Sequence, residues 1–253
     1  MDLICWIIEN SETIAFAVVL SIFLYILTYL IFGDERIILS RLAEEISFLP
    51  LEVLLVALII EKIFSYMEKR GRMEKLNMVI GTFFIELGTK LLSYISSFDP
   101  ELDSIGSNLV IRDDWSNQNF SSVSNNLHNY SFGVNIENVN LEYLLEFLRS
   151  KREFLLRLTE NPTLLEHESF TDMLLAVTHL SEELESRSSL KDLPQTDLMH
   201  LQGDIKRVYG LLVHEWLEYM KYLKANYPYL FSLAMRTNPF DRTASPVIRP
   251  KPG

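Results

Sequence analysis

The run from Thr13 to Phe32, TIAFAVVLSIFLYILTYLIF, constrains this chain more than any other feature, because it holds twenty residues without a charge. As a helix rising about 1.5 Å per residue it would reach roughly 30 Å, the depth of a bilayer's hydrocarbon core. Glu12 and Asp34 bracket it. The flank Met1 to Glu12 carries acids and no Lys or Arg, which does not suit a cleaved signal peptide, so the run reads as a retained transmembrane helix. A second candidate lies at about 46–67. Its most apolar part, Val53 to Ile60, is short, and Glu52, Glu61 and Lys62 flank it. Extended from Pro50 to Met67 it reaches spanning length, with Lys62 snorkelling. The alternatives are a helix lying along the membrane surface or packed on the first span.

Positive charge sets the expected orientation. Arg36 and Arg41 lie between the two segments, and Lys62, Lys69, Arg70, Arg72 and Lys75 follow the second. This bias places the rest of the chain on the cytoplasmic side of a cell membrane. The basic group Lys69, Arg70, Arg72 and Lys75 is a candidate lipid contact. Glu52 is the candidate intramembrane acid, unless Pro50 starts the helix and leaves Glu52 in its first turn.

Beyond residue 67 the pattern becomes amphipathic. Met73, Leu76, Ile80, Phe83, Phe84, Leu87, Leu91 and Tyr94 recur at helical spacing and predict a helix over 68–98. Gly81 and Gly88, seven apart, suggest close approach of another helix. Residues 99–140 are rich in Asn, Ser and Asp and read as a partly ordered insertion. Within it Asp114 is read as the cap of a short helix over 115–130, and Phe132 to Ile136 as extended. Three helices follow, at Leu141–Thr159, Leu164–Arg187 and Thr196–Asn226, within a helical domain over 141–236. The tail 237–253 holds four prolines and is expected to be extended or disordered. The expected fold is thus all-α: an N-terminal flank (1–12), a transmembrane hairpin (13–67) and a cytoplasmic helical bundle.

The segments EKLNMVIGTFFIELGTKLL (Glu74 to Leu92) and DIKRVYGLLVHEWLEYMKYLKANYPYLFSLAMRTNPF (Asp204 to Phe240) resemble an uncharacterised group of prokaryotic membrane proteins, notably of methanogenic archaea. That resemblance implies a host and a membrane address, and no activity.

Composition excludes some functions. With 34 acidic against 23 basic residues and a net charge of −11, the chain lacks the basic surface that nucleic acid requires. One cysteine, Cys5, supports neither a disulfide framework nor a cysteine-based zinc site. No phosphate-cradling, dinucleotide, zincin or nucleophile-elbow motif occurs, and no cofactor is implied. What remains is a set of helically spaced histidines and acids: His179 and Glu183 at i, i+4, and Asp197, His200 and Asp204 at i, i+3 and i+7. Such spacings place side chains on one helical face, and facing pairs of this kind build metal sites in bundles. His214 and Glu218 repeat the spacing. The default for all of them is a solvated face with helix-supporting pairs.

Three functions compete on this reading. The first is a non-enzymatic, membrane-anchored interaction or scaffold module, contacting lipid and a protein partner or a second copy. The others are a small transport or channel subunit, and a metal-dependent enzyme in the bundle.

Overall fold

The computed structural model describes residues 19–247 apart from 21, 25, 28, 31–34 and 166. The described residues are helical or irregular, and the chain divides into two compact units, Met1–Glu68 and Lys69–Gly253.

In the first unit the described residues between 19 and 30 are helical and exposed. The remainder of the run 13–32 lies outside the described residues. Helix α1 (Glu35–Phe83) begins here and is 49 residues long. Among the described residues no helix is long and apolar enough to cross a membrane. This finding overturns the transmembrane hairpin and the integral-membrane, cytoplasm-facing address expected above. The physical reason is visible in α1. Its uninterrupted apolar stretch, Val53–Ile60, covers about 12 Å of helix, far short of a bilayer core, before Glu61 and Lys62 interrupt it. Pro50 sits inside α1 and does not start it. Glu52 is therefore not in a first turn, and it is exposed.

The second unit is built on apolar stripes. From Lys69 the end of α1, a π-helical turn (Phe84–Gly88) and α2 (Thr89–Ser96) follow without a break. They bury Leu76, Ile80, Phe83, Phe84, Leu87, Leu91, Leu92 and Ile95. The π turn holds one more residue than an α turn. Phe83 and Phe84 are both fully buried beside it, edge to face at 5.3 Å. Phe83 then meets Phe170 edge-on at 5.4 Å, and Phe84 stacks on Tyr219 at 5.0 Å. A methyl group on Gly81 would touch the Tyr219 ring at 3.4 Å, the close helix approach expected there. Gly88 serves a different purpose: its missing methyl is replaced by the rings of Phe83 and Phe84 from its own chain, each 2.7 Å from where a Cβ would stand.

Residues 99–140 are more ordered than their composition suggests. Helices α3 (Leu102–Leu109) and α4 (Asn117–His128) and a 3-10 turn (Ile136–Asn138) form there, anchored by buried Leu109, Ile111, Phe120, Leu127, Val134 and Ile136. Ser116, not Asp114, caps α4. Its hydroxyl accepts the Asn119 N–H, and the Asn119 side chain accepts the Ser116 N–H in return at 2.8 Å. The helix expected over 141–159 is two, α5 (Leu141–Ser150) and α6 (Arg152–Thr159), hinged at Lys151. A short α7 (Pro162–Leu165) precedes α8 (Glu168–Glu185), and α9 (Gln195–Asn226) and α10 (Pro228–Arg236) complete the unit.

Helix α9 is the hub, packing on α8, α2, α4 and α10 through buried Leu201, Ile205, Val208, Leu212, Trp216 and Met220. Part of the tail joins this core. Phe240 meets Trp216 at 5.1 Å, and the buried Asn238 amide donates to the Leu109 carbonyl at 2.8 Å.

Gly88→Ala should destabilise the second unit by about 1–3 kcal/mol, because the two fixed phenyl rings must move to admit a methyl. Urea unfolding followed by far-UV circular dichroism measures this.

Candidate metal centre

The last turns of α8 and the first turns of α9 run antiparallel across a short connection. On α8 the i, i+4 spacing puts His179 and Glu183 on one face, and on α9 it does the same for His200 and Asp204. The antiparallel register then brings the two pairs together. His200 Nε2 lies 3.4 Å from Asp204 Oδ2 and 3.6 Å from Glu183 Oε2. His179 Nε2 lies 3.8 Å from both Asp204 Oδ2 and Glu183 Oε1. One ligand atom from each of Glu183, His200 and Asp204 falls within 4.8 Å of the others.

Burial grades across the group. The Asp204 side chain is 5% exposed, Glu183 27%, His179 46% and His200 55%. The acid thus forms the floor and the two imidazoles form the outer wall. Asp204 Oδ1 accepts from the Arg207 guanidinium at 3.2 Å. Asp204 Oδ2 is buried and has no hydrogen-bond donor among the described residues. A buried carboxylate oxygen without a donor is costly, so the position calls for a positive partner.

Arg187 braces the group from the loop side. It donates to both carboxylate oxygens of Asp197, at 2.6 and 2.8 Å, to Glu183 Oε2 at 2.9 Å, and to the Glu183 carbonyl. The guanidinium holds both the Glu183 and the Asp197 carboxyls below their ordinary range, chiefly through these hydrogen bonds. Glu183 is therefore held as an anion, with its Oε2 fixed by Arg187.

Of the five candidate metal ligands read from the sequence, the structure brings together His179, Glu183, His200 and Asp204. Asp197 instead pairs with Arg187. The sequence reading passed over Arg187 and Arg207, although Glu183–Arg187 at i, i+4 and Asp204–Arg207 at i, i+3 are spaced for pairing. The other candidates are separate. His214 packs edge-on against His128 at 5.1 Å and burial lowers its pKa, while Glu218 pairs with Lys221 at 3.3 Å. Lys69, Arg70, Arg72 and Lys75 are exposed, with Arg70 paired to Glu74 at 3.3 Å.

The brace has a pH signature. Because the folded-state pKa values of Glu183 and Asp197 are depressed, its stabilisation is present above the ordinary carboxylate range and disappears as pH falls through the folded values. Arg187→Met should lower the melting temperature at pH 7, and the gap from wild type should narrow below about pH 4. Thermal melts at several pH values measure it.

Comparison with known proteins fits this architecture. Residues 72–236 match the family described as "Uncharacterized protein MJ1433, C-terminal helical domain", and residues 9–64 match "MJ1433, N-terminal helical domain". The gap between the two matches contains the division between the structural units. The candidate ligands all fall in the C-terminal match. The chain is 50% identical over 222 residues to Uncharacterized protein MJ1433 of Methanocaldococcus jannaschii, covering 88% of this chain and 89% of that protein. No solved structure matches. The expected kinship with an uncharacterised archaeal family is thereby shown, without the membrane hairpin attached to it. On the extent of both matches, this chain belongs to the MJ1433 family.

Proposed function

We propose that this protein binds one divalent first-row transition ion between α8 and α9, with Glu183, His200 and Asp204 as ligands and His179 beside them. The observation that carries this reading is the buried Asp204 carboxylate, whose donorless Oδ2 has two imidazole nitrogens at 3.4 and 3.8 Å. Metal–ligand bonds of about 2.0–2.1 Å in a tetrahedron imply edges of about 3.3–3.4 Å. His200 Nε2 stands close to that value from Asp204 Oδ2, at 3.4 Å, and from Glu183 Oε2, at 3.6 Å. An imidazole and two carboxylates suit zinc, iron or manganese better than calcium or magnesium, which prefer all-oxygen shells.

The half-exposed histidines leave the outer side of the centre open to solvent. An ion held there keeps room for an exchangeable ligand, the arrangement of a reactive site more than of a purely structural one. Arg187 acts as a positioning residue, holding the Glu183 carboxylate in place.

The test is metal uptake by the full-length chain. After chelator treatment and incubation with Zn²⁺ or Co²⁺, elemental analysis should find about one equivalent bound, and the melting temperature should rise. At a hundredfold excess of ion over Kd the stabilisation is about 2.7 kcal/mol. Asp204→Asn and His200→Ala should each abolish stoichiometric uptake while circular dichroism stays helical. Arg187→Gln should weaken affinity about 10–100-fold. A well-folded protein that takes up neither ion overturns the proposal and leaves an ion-paired seam between two helices.

A further inference from the structure

Roughly 16 Å along α9 from Asp204, a second acid is buried on the same helix. Glu215 is 7% exposed and lines an open cavity of about 570 Å³. Glu218, Tyr219, Tyr222 and Asn226 follow it at i+3, i+4, i+7 and i+11, one stripe of α9, and all of them line the same cavity. Met73, Asn77 and Ile80, a stripe at i, i+4 and i+7 of α1, form another part of the wall. His167 and Ser169, at the start of α8, complete the surroundings of the acid.

The charges of this wall do not cancel. Lys221 is paired with Glu218 at 3.3 Å, so those two balance one another. The His167 Nδ1 accepts the Phe170 N–H at 3.3 Å, so that nitrogen carries no proton. Glu215 is left as the acid without a lysine or arginine among the lining residues. Burial pushes its pKa up and Glu218 adds to the rise, against the Ser169 hydroxyl and His167, which favour the anion. Ser169 supplies one donor to a group with room for several. A cation entering from solvent would bring both the missing charge and the missing donors.

The surroundings select the kind of cation. Among the described residues, the acids and imidazoles that converge closely enough to share a metal ion are Glu183, His200 and Asp204, and Glu215 is not one of such a group. Met73, Ile80, Tyr219 and Tyr222 instead give the cavity an apolar and aromatic wall, which suits an organic body and favours a cation beside it. We infer that this cavity binds a small primary ammonium compound, its ammonium group on the Glu215 carboxylate and its apolar body against Met73, Ile80, Tyr219 and Tyr222. The Asn77 side chain carries a further acceptor in the same wall. The inference uses none of the proposed metal ligands and stands apart from that reading.

The experiment is isothermal titration of the full-length protein at pH 7 after chelator treatment, so that no ion competes for the amine. The probes are benzylammonium, benzyl alcohol, which keeps the ring and lacks the charge, and benzyltrimethylammonium, which keeps the charge and lacks the N–H donors. Benzylammonium should bind at one site, about tenfold or more tightly than either of the others, because it alone makes charged hydrogen bonds to Glu215. Glu215→Gln should weaken benzylammonium about tenfold or more and leave benzyl alcohol unchanged, with the circular dichroism still helical. Ala225 also lines the cavity and is exposed, so Ala225→Phe should obstruct the site without disturbing the core and weaken benzylammonium. A folded protein that does not bind benzylammonium, or that binds benzyl alcohol equally well, overturns the inference, as does a Glu215→Gln variant that binds benzylammonium like the wild type. Benzyltrimethylammonium binding as tightly as benzylammonium overturns the assignment to primary ammonium compounds.

Discussion

A carboxylate buried at the seam between α8 and α9 is the constraint around which this part of the molecule is arranged. Taking Asp204 out of water costs several kcal/mol unless positive charge or donors replace the lost hydration. One oxygen is satisfied by Arg207, one turn along the same helix. The other faces two imidazole nitrogens, that of His200 from α9 itself at 3.4 Å and, through the antiparallel register, that of His179 from α8 at 3.8 Å. Register, helix pairing and electrostatics thus specify one another. A shift of α8 by one residue would rotate His179 and Glu183 by about 100° and leave Asp204 Oδ2 with His200 alone.

The apolar packing makes that register rigid. Above and below the seam, Leu174, Val177, Leu180 and Leu184 of α8 are buried, as are Leu201, Ile205, Val208 and Leu212 of α9. Phe170 couples the start of α8 to Phe83 beside the π turn, and Tyr219 couples α9 to Phe84. The polar group therefore sits on a frame held at both ends by aromatic contacts, the kind of support a site with sub-ångström tolerances needs.

Much of the helical frame was legible because it is written in periodicity: the apolar stripes of α8 and α9 read directly at 3.6-residue spacing. The i, i+4 pairs within each helix were equally legible. Their convergence was not, since it depends on which turn of α8 meets which turn of α9. The diversion of Asp197 to Arg187 was hidden for the same reason, because that pair spans the loop. The break between α5 and α6 carries no Pro or Gly to announce it; it comes at Lys151, whose ammonium reaches back to Glu86 at 2.9 Å. Residues 99–140 misled through composition. Their Asn and Ser suggested loose chain, yet they serve as caps, as at Ser116 and Asn140, while sparse aromatic and aliphatic anchors do the burying. The membrane reading failed on α1 because the extension from Pro50 to Met67 that gave spanning length takes in Glu52, Glu61 and Lys62, which confine the apolar stretch to Val53–Ile60.

The placement of its donors is what favours the proposed cation site over an ion-pair network in the four-residue group. A network built to neutralise Asp204 would place hydrogen-bonding N–H groups on both oxygens, as Arg187 does for Asp197 at 2.6 and 2.8 Å. At Asp204 Oδ2 the flanking nitrogens stand off at 3.4 and 3.8 Å, too far to donate well, and each also faces a Glu183 oxygen at a similar distance. One ligand atom each of Glu183, His200 and Asp204, all within 4.8 Å of one another, can approach a single ion. Arg187 closes one end of this charged seam by direct hydrogen bonds, and Asp204 leaves the other end to the cation proposed above.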